Sequence, residues 1–201
     1  MRRLLLATNN PGKLVEMRAL LDDLGLELLA PTQVSLEMDV EEDGQTYAEN
    51  AARKAQAFAR TSGLLTLADD SGLEVDALNG APGLHSARYS PKPGATDADR
   101  RAYLLKNLRG LPQPWTARFR CVIAISTPQG ECTFTEGSCP GVVIPDERGH
   151  NGCVYDPIFF LPELGQTMAQ LEETEKNKLS HRGRAILAAR PLLLALAADG
   201  E

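Results

Sequence analysis

The sequence predicts an α/β fold: a central, elongated and strongly twisted mixed β-sheet flanked by helices. Apolar runs of strand length end in polar turns, helical stretches between them carry start and stop signals, and a β-branched hairpin region occupies the middle of the chain. With 201 residues, 43% of them hydrophobic, the chain can bury a sizeable core. No shift in composition divides it, so residues 1–201 are read as a single domain.

Residues 3 to 7 form the first expected strand, followed by the turn Thr8-Asn9-Asn10-Pro11-Gly12-Lys13. Asn10 is placed to cap a helix with Pro11 at its first position, and Gly25 sits where that helix would stop. Leu14, Met17, Leu21 and Leu24 give it an apolar face. A second helix starts at the capping box Thr46-x-x-Glu49 and ends at Gly63, with a thin face of Ala51, Ala52, Ala55, Phe58 and Ala59 and with Asn50 and Lys54 sharing another face.

The apolar run Leu64 to Ala68 then leads to Asp69-Asp70-Ser71-Gly72, which is read as the strand's end, with a second short strand over Leu73 to Ala77. A Gly/Pro-rich loop follows, and Thr96-x-x-Asp99 opens a third helix. Thr116 to Thr127 and Glu131 to Glu136 make a hairpin around Pro128-Gln129-Gly130, with further strands at Gly141 to Ile144 and Tyr155 to Phe160. Helix is expected from Glu172 to Ala198, kinked or split at Pro191.

A net charge of −6 argues against a nucleic-acid polymer as partner, while leaving room for a small basic pocket around one phosphorylated ligand. The cysteines, Cys121, Cys132, Cys139 and Cys153, form no Cys-x-x-Cys pair and read as reduced thiols of a cytoplasmic protein. Leu4 to Ala7 is too short for a signal peptide, and no apolar run approaches a membrane span.

Four segments suit chemistry. Adjacent carboxylates at a strand end fit a hard divalent cation that keeps several waters, magnesium being the first choice, although Asp and Ser also serve ordinary turns. Thr8 to Lys13 combines small polar side chains with a lysine at a helix N-terminus, which favours an anion; the spacing is not that of a P-loop. Glu41, Glu42 and Asp43 precede Lys54, where carboxylates could complete a metal site and the lysine could neutralise phosphate. Lys176, His181 and Arg182 could donate to a planar ligand rich in carbonyl acceptors.

Taken together, these segments occur in one order: Thr-Asn-Asn-Pro-Gly-Lys, Glu-Glu-Asp-Gly-Gln-Thr-Tyr-x-Glu-Asn-Ala, Ala-Asp-Asp-Ser-Gly-Leu, Gly-Ala-Pro-Gly-x-x-Ser-Ala-Arg-Tyr, Tyr-Asp-Pro-Ile-Phe-Phe and Ser-His-Arg-Gly. From Leu4 to about Leu187 the chain resembles the inosine triphosphate pyrophosphatase family, the Ham1-like pyrophosphatases of non-standard purine nucleotides. The resemblance implies two lobes with a cleft between them, a homodimer, and magnesium-dependent hydrolysis of ITP, dITP and XTP to the monophosphate and pyrophosphate. It implies that Thr8, Asn9, Asn10 and Lys13 hold the triphosphate, assisted by Ser71 and Lys54. Asp70 would be general base and metal ligand, with Glu42, rather than Glu41, as the second acidic ligand. Cys153, Val154, Tyr155 and Asp156, with Lys176, His181 and Arg182, would form the base pocket.

The chain departs from the family at Asn151-Gly152-Cys153-Val154, where Gly-Gly-Phe-Gly is usual. Loss of the stacking ring implies weaker base affinity, or compensation by Tyr155. Two other readings stand beside the leading one: a nucleotide-binding sensor with little catalysis, and a house-cleaning pyrophosphatase for other modified nucleotides.

Overall fold

The computed structural model describes residues 2–152 and 154–198. Its strands are β1 (Arg3–Leu6), β2 (Glu27–Leu29), β3 (Leu65–Val75), β4 (Trp115–Ser126), β5 (Cys132–Val143), β6 (Phe159–Leu161) and β7 (Gln166–Thr167). They form one mixed sheet in the order β2-β1-β3-β4-β5-β6-β7. β1 runs parallel to β2 and β3, whereas β6 is antiparallel to β5 and β7. The helices are α1 (Pro11–Leu21), α2 (Tyr47–Ser62), α3 (Asp97–Leu108), α4 (Glu173–Leu179) and α5 (His181–Ala198). The α/β fold and the mixed sheet are as the sequence predicts; β2 and β7 are too short for its periodicity to reveal.

The chain divides into two units, the first holding the stretch up to Asp70, Cys121–Gly137 and the stretch from His181, the second holding Ser71–Arg120 and Ser138–Ser180. In the first unit, strand periodicity sorts the core into two layers. Leu4, Leu6 and Leu67 face Met17 and Leu21 of α1 and Ala185, Ile186 and Leu193 of α5. Leu5, Ala7 and Ala68 face Ala51, Ala55 and Phe58 of α2. The alanines of α2 bring its backbone close to the sheet, which matters because α2 carries polar residues of the site.

In the second unit one core gathers Leu73, Val75, Leu104, Trp115, Phe119, Tyr155, Phe159 and Met168. Ser86 locks the Gly/Pro-rich loop to β3: its hydroxyl accepts from the Leu73 amide at 2.9 Å and donates to the Gly83 carbonyl at 2.6 Å.

Four local expectations are overturned, one of them the strand expected from Tyr155 to Phe160, which is a 3₁₀ turn over Asp156–Ile158 and becomes strand only at Phe159. β3 does not stop at Asp69 but continues through Asp70, Ser71 and Gly72 to Val75, because both carboxylates find partners inside the fold. The strand expected at Gly141 to Ile144 is the far end of a single β5. The terminal helical region breaks at Ser180, whose backbone is extended (φ −66°, ψ 156°), and not at Pro191. A proline inside a helix costs about 3 kcal/mol locally; buried Ile186, Ala189 and Leu193, on both sides of exposed Pro191, hold α5 to the core and outweigh that cost.

Candidate active site

In the first unit, the turn after β1 is organised by its own side chains. The Asn10 side chain accepts from the Gly12 and Lys13 amides at 2.9 and 3.2 Å, capping α1, and the Asn10 amide donates to Thr8 Oγ1 at 3.2 Å. Asn9 is tied by its side-chain amide to the Met38 carbonyl at 3.2 Å. Lys13 therefore leaves the first turn of α1 from a fixed base, and its Nζ lies 3.1 and 2.9 Å from the two carboxylate oxygens of Asp69.

Asp69 has no exposed surface. Burial alone would raise its carboxyl, but Lys13, Arg182 and Lys54 outweigh this and hold it well below the usual carboxylate range. Arg182, in the first turn of α5, donates from Nε to Asp69 Oδ2 at 3.2 Å and from Nη1 to Glu16 of α1. α5 reaches β5 closely because residue 137 is glycine: a Cβ there would meet the His181 carbonyl oxygen at 2.2 Å. Thr135 Oγ1 fastens the same helix by donating to the Ala185 carbonyl at 2.8 Å.

Asp70 points to the other layer. Asn50 of α2 donates to its Oδ2 at 2.9 Å, and the same Asn50 accepts from the Gly44 amide at 2.8 Å, so one side chain fixes both the acid and the loop before α2. Burial raises the Asp70 carboxyl; the Asn50 hydrogen bond opposes this, and the nearby charge of Glu42 adds to it. Lys54, one turn after Asn50, makes an ion pair with Glu42. Burial works against its charge, and Asp69, Glu42 and Asp70 more than compensate, so the ammonium is held above the usual lysine range. Glu42 is half-buried in this cluster, whereas Glu41 is exposed.

The second unit contributes a different pair. Lys176 Nζ lies 2.8 Å from Asp156 Oδ2, both side chains being buried. Gly152, at φ +82°, makes room for them: a Cβ there would sit 2.0 Å from Asp156 Oδ2 and 2.9 Å from Lys176 Nζ. Val154 adopts φ 31°, an unusual conformation for a β-branched residue, and is fastened by Arg101 Nη1 donating to its carbonyl at 2.8 Å. Ser71, half-buried, begins this unit directly after Asp70.

Cys153 lies outside the described residues. Tyr155 is 1% exposed in the core, with its hydroxyl donating to the Ser86 carbonyl at 2.8 Å. It is an anchor of the loop, so its placement does not meet the expectation that it replaces a stacking ring.

A protein-family model described as the Ham1 family matches residues 4–192. The chain belongs to the Ham1 family. A relative from Desulforamulus reducens named dITP/XTP pyrophosphatase is 49% identical over 192 residues, 95% of each chain. One of the same name from Thermus thermophilus is 46% identical, covering 92% of this chain and 89% of its own. The solved Ham1 protein of Coxiella burnetii superposes with a TM-score of 0.89 at 41% identity, over 97% of this chain and 100% of that one.

Within this Ham1-family chain, Thr8, Asn9, Asn10, Lys13, Glu42, Lys54, Asp70, His181 and Arg182 fall in the first unit. Ser71, Val154, Tyr155, Asp156 and Lys176 fall in the second. Sequence reasoning noted Asp69 and Asn50 without their roles, Asp69 as the buried hub of ion pairs and Asn50 as the holder of Asp70, and it missed Glu16 as the partner of Arg182. The last two sit one helical turn from residues already singled out, Asn50 before Lys54 and Glu16 after Lys13, and that spacing was the available signal.

Proposed function

We propose that this chain hydrolyses non-standard purine nucleoside triphosphates, ITP, dITP and XTP, to the monophosphate and pyrophosphate. The observation that carries the reading is the near-full-length likeness to relatives named dITP/XTP pyrophosphatase. The grouping of Lys13, Lys54, Glu42 and Asp70 around β3 supports it. Phosphoryl chemistry depends on positioning and charge stabilisation, for which lysines, a helix N-terminus and a carboxylate that orients water are the needed parts.

In this reading Thr8, Asn9, Asn10 and Lys13 hold the triphosphate with Lys54. Asp70 takes the proton of the attacking water. A carboxyl raised by burial is a better base than an ordinary aspartate, and Asn50 holds the oxygen not engaged with water. Lys13 and Lys54 stabilise the charge that accumulates on the leaving pyrophosphate.

The acidic residues fit magnesium. Asp70 and Glu42 supply oxygen donors only, close enough for one charge to disfavour the other. Among the described residues there is no cluster of three or more His, Cys, Asp or Glu to form a closed cage. That donor set suits an ion that binds through one or two carboxylates and completes its shell with water and phosphate. When bound, the ion would neutralise phosphate charge and lower the barrier to displacement.

In this reading Asp156 and Lys176, with the segment at Cys153 and Val154, recognise the base. Hypoxanthine and xanthine offer O6 as an acceptor where adenine offers an amino donor. A pocket of donors rejects ATP by leaving polar groups unpaired, at a cost of about 1–3 kcal/mol each. A homodimer acting on the cytoplasmic nucleotide pool completes the proposal, and sedimentation tests the dimer.

The test is pyrophosphate release from dITP, XTP, ITP, ATP and GTP, each with magnesium and with EDTA. Metal-dependent turnover confined to the first three supports the reading. Binding without turnover would instead favour a nucleotide sensor, a reading motivated by the altered segment at Cys153-Val154. Turnover of modified pyrimidine triphosphates would favour a broader house-cleaning role.

A further inference from the structure

Lys13 is held by a closed ring of charges. Asp69 offers one oxygen to Lys13 Nζ at 3.1 Å and its other oxygen to both Lys13 Nζ, at 2.9 Å, and Arg182 Nε, at 3.2 Å. Arg182 spends its Nη1 on Glu16, and Glu16 stands on α1 one turn after Lys13, so the ring closes through the helix itself. The four charges alternate in sign around the ring and sum to zero, with Asp69 and Arg182 both buried.

From this arrangement we propose that Glu16 is a positioning residue for Lys13, acting through Arg182 and Asp69. The inference rests on the function proposed above and deepens it. The buried guanidinium must be balanced by carboxylate. With Glu16 present, Arg182 divides itself between two acids and leaves Asp69 free to hold Lys13 by both oxygens. With Glu16 neutralised, the rigid donor fork of Arg182 turns onto Asp69, since bidentate pairing is what a guanidinium does best with a single carboxylate. Lys13 then loses the anchor that aims it. When Lys13 turns to a triphosphate, Arg182 remains to compensate Asp69, so the wild-type ring also spares the site an uncompensated buried charge.

Glu16 pairs with Arg182, which pairs with Asp69, the partner of Lys13. Its effect is therefore on aim rather than on occupancy: Thr8, Asn10 and Lys54 still receive the phosphates, while stabilisation of the leaving group suffers. Misplacement of a catalytic group by about 1 Å costs up to 10²-fold in rate.

Steady-state pyrophosphate release from dITP by wild type, Glu16→Gln and Glu16→Asp tests this, with the folded fraction of each followed by circular dichroism at the assay temperature. Glu16→Gln should lower kcat about tenfold per folded molecule and leave KM within about threefold. Glu16→Asp, which keeps the charge, should recover at least part of that loss. A Glu16→Gln kcat within twofold of wild type overturns the inference, as does a loss of kcat matched by an equal rise in KM. If Glu16→Gln does not fold, Glu16→Asp alone decides, and the inference requires a reduced kcat at unchanged KM. A wild type that releases no pyrophosphate would overturn the functional reading and this inference with it; an active wild type matched by Glu16→Gln overturns this inference alone.

Discussion

Asp69 and Asp70 are consecutive on β3, yet their carboxylates serve opposite layers: Asp69 meets Lys13 and Arg182 on the side of α1 and α5, and Asp70 meets Asn50 on the side of α2. The strand's two-residue period produces this. One acid is surrounded by cations and the other by an amide and a second acid, so their carboxyls move in opposite directions, Asp69 down and Asp70 up, although burial disfavours both charges.

The same substitution at these neighbours should therefore have opposite effects on stability. The depressed Asp69 contributes stability that is present above its unfolded value and lost as pH falls through its folded one. Ionising the raised Asp70 costs stability, and that cost is relieved as pH falls through its folded value. In EDTA at pH 7, Asp69→Asn should destabilise by about 3–5 kcal/mol, the cost of breaking a buried ion pair, lowering Tm by roughly 6–20 °C. Asp70→Asn should raise Tm. Thermal melts of the two variants side by side would reject the account if both moved the same way.

Asp70→Asn should also remove the base. Loss of a positioned general base costs about 10²–10⁴-fold, so pyrophosphate release from dITP should fall by at least that lower factor while circular dichroism stays that of wild type. Retained turnover would show that another group activates the water.

How much of this could be read in the sequence differed by residue. The caps of α1, α2 and α3 were legible because Asn10, Thr46 and Thr96 satisfy amides within three residues of themselves. The phosphate-side candidates were legible because strand, turn and helix lie consecutively. What could not be read was the course of β3 beyond Asp69, since paired acids look like a turn until Lys13, Arg182 and Asn50, remote in sequence, arrive to compensate them. Arg182 likewise reads as a donor awaiting a ligand, whereas Asp69 and Glu16 engage it in the fold. Pro191 marked a helix end only by local cost, which packing on both sides outweighed.

Gly152→Ala should damage the base pocket selectively. Its φ of +82° is strained for alanine, and the added Cβ would meet Asp156 Oδ2 at 2.0 Å, forcing the Asp156–Lys176 pair apart. If that pair reads the base, KM for dITP should rise about tenfold, equivalent to about 1.4 kcal/mol, with a smaller change in kcat. The discrimination against ATP, the ratio of the two kcat/KM values, should shrink together with affinity. An unchanged KM would remove Asp156 and Lys176 from base recognition.

The segment that departs from the family makes the last prediction. With Tyr155 committed to the core and to the Ser86 carbonyl, it does not supply the stacking surface that a phenylalanine at position 153 would. Stacking an aromatic side chain on a base is worth about 1–3 kcal/mol, so Cys153→Phe should lower KM for dITP, by about tenfold at 1.4 kcal/mol, with kcat little changed. Val154 bears on the size of the gain, because a β-branched residue at φ 31° holds the backbone in a conformation that glycine adopts without penalty. The double variant Cys153→Phe with Val154→Gly should therefore gain at least as much as Cys153→Phe alone. If neither variant lowers KM, the base is held by hydrogen bonding without a stacking partner, and the burden of affinity passes to the Asp156–Lys176 pair and the triphosphate contacts.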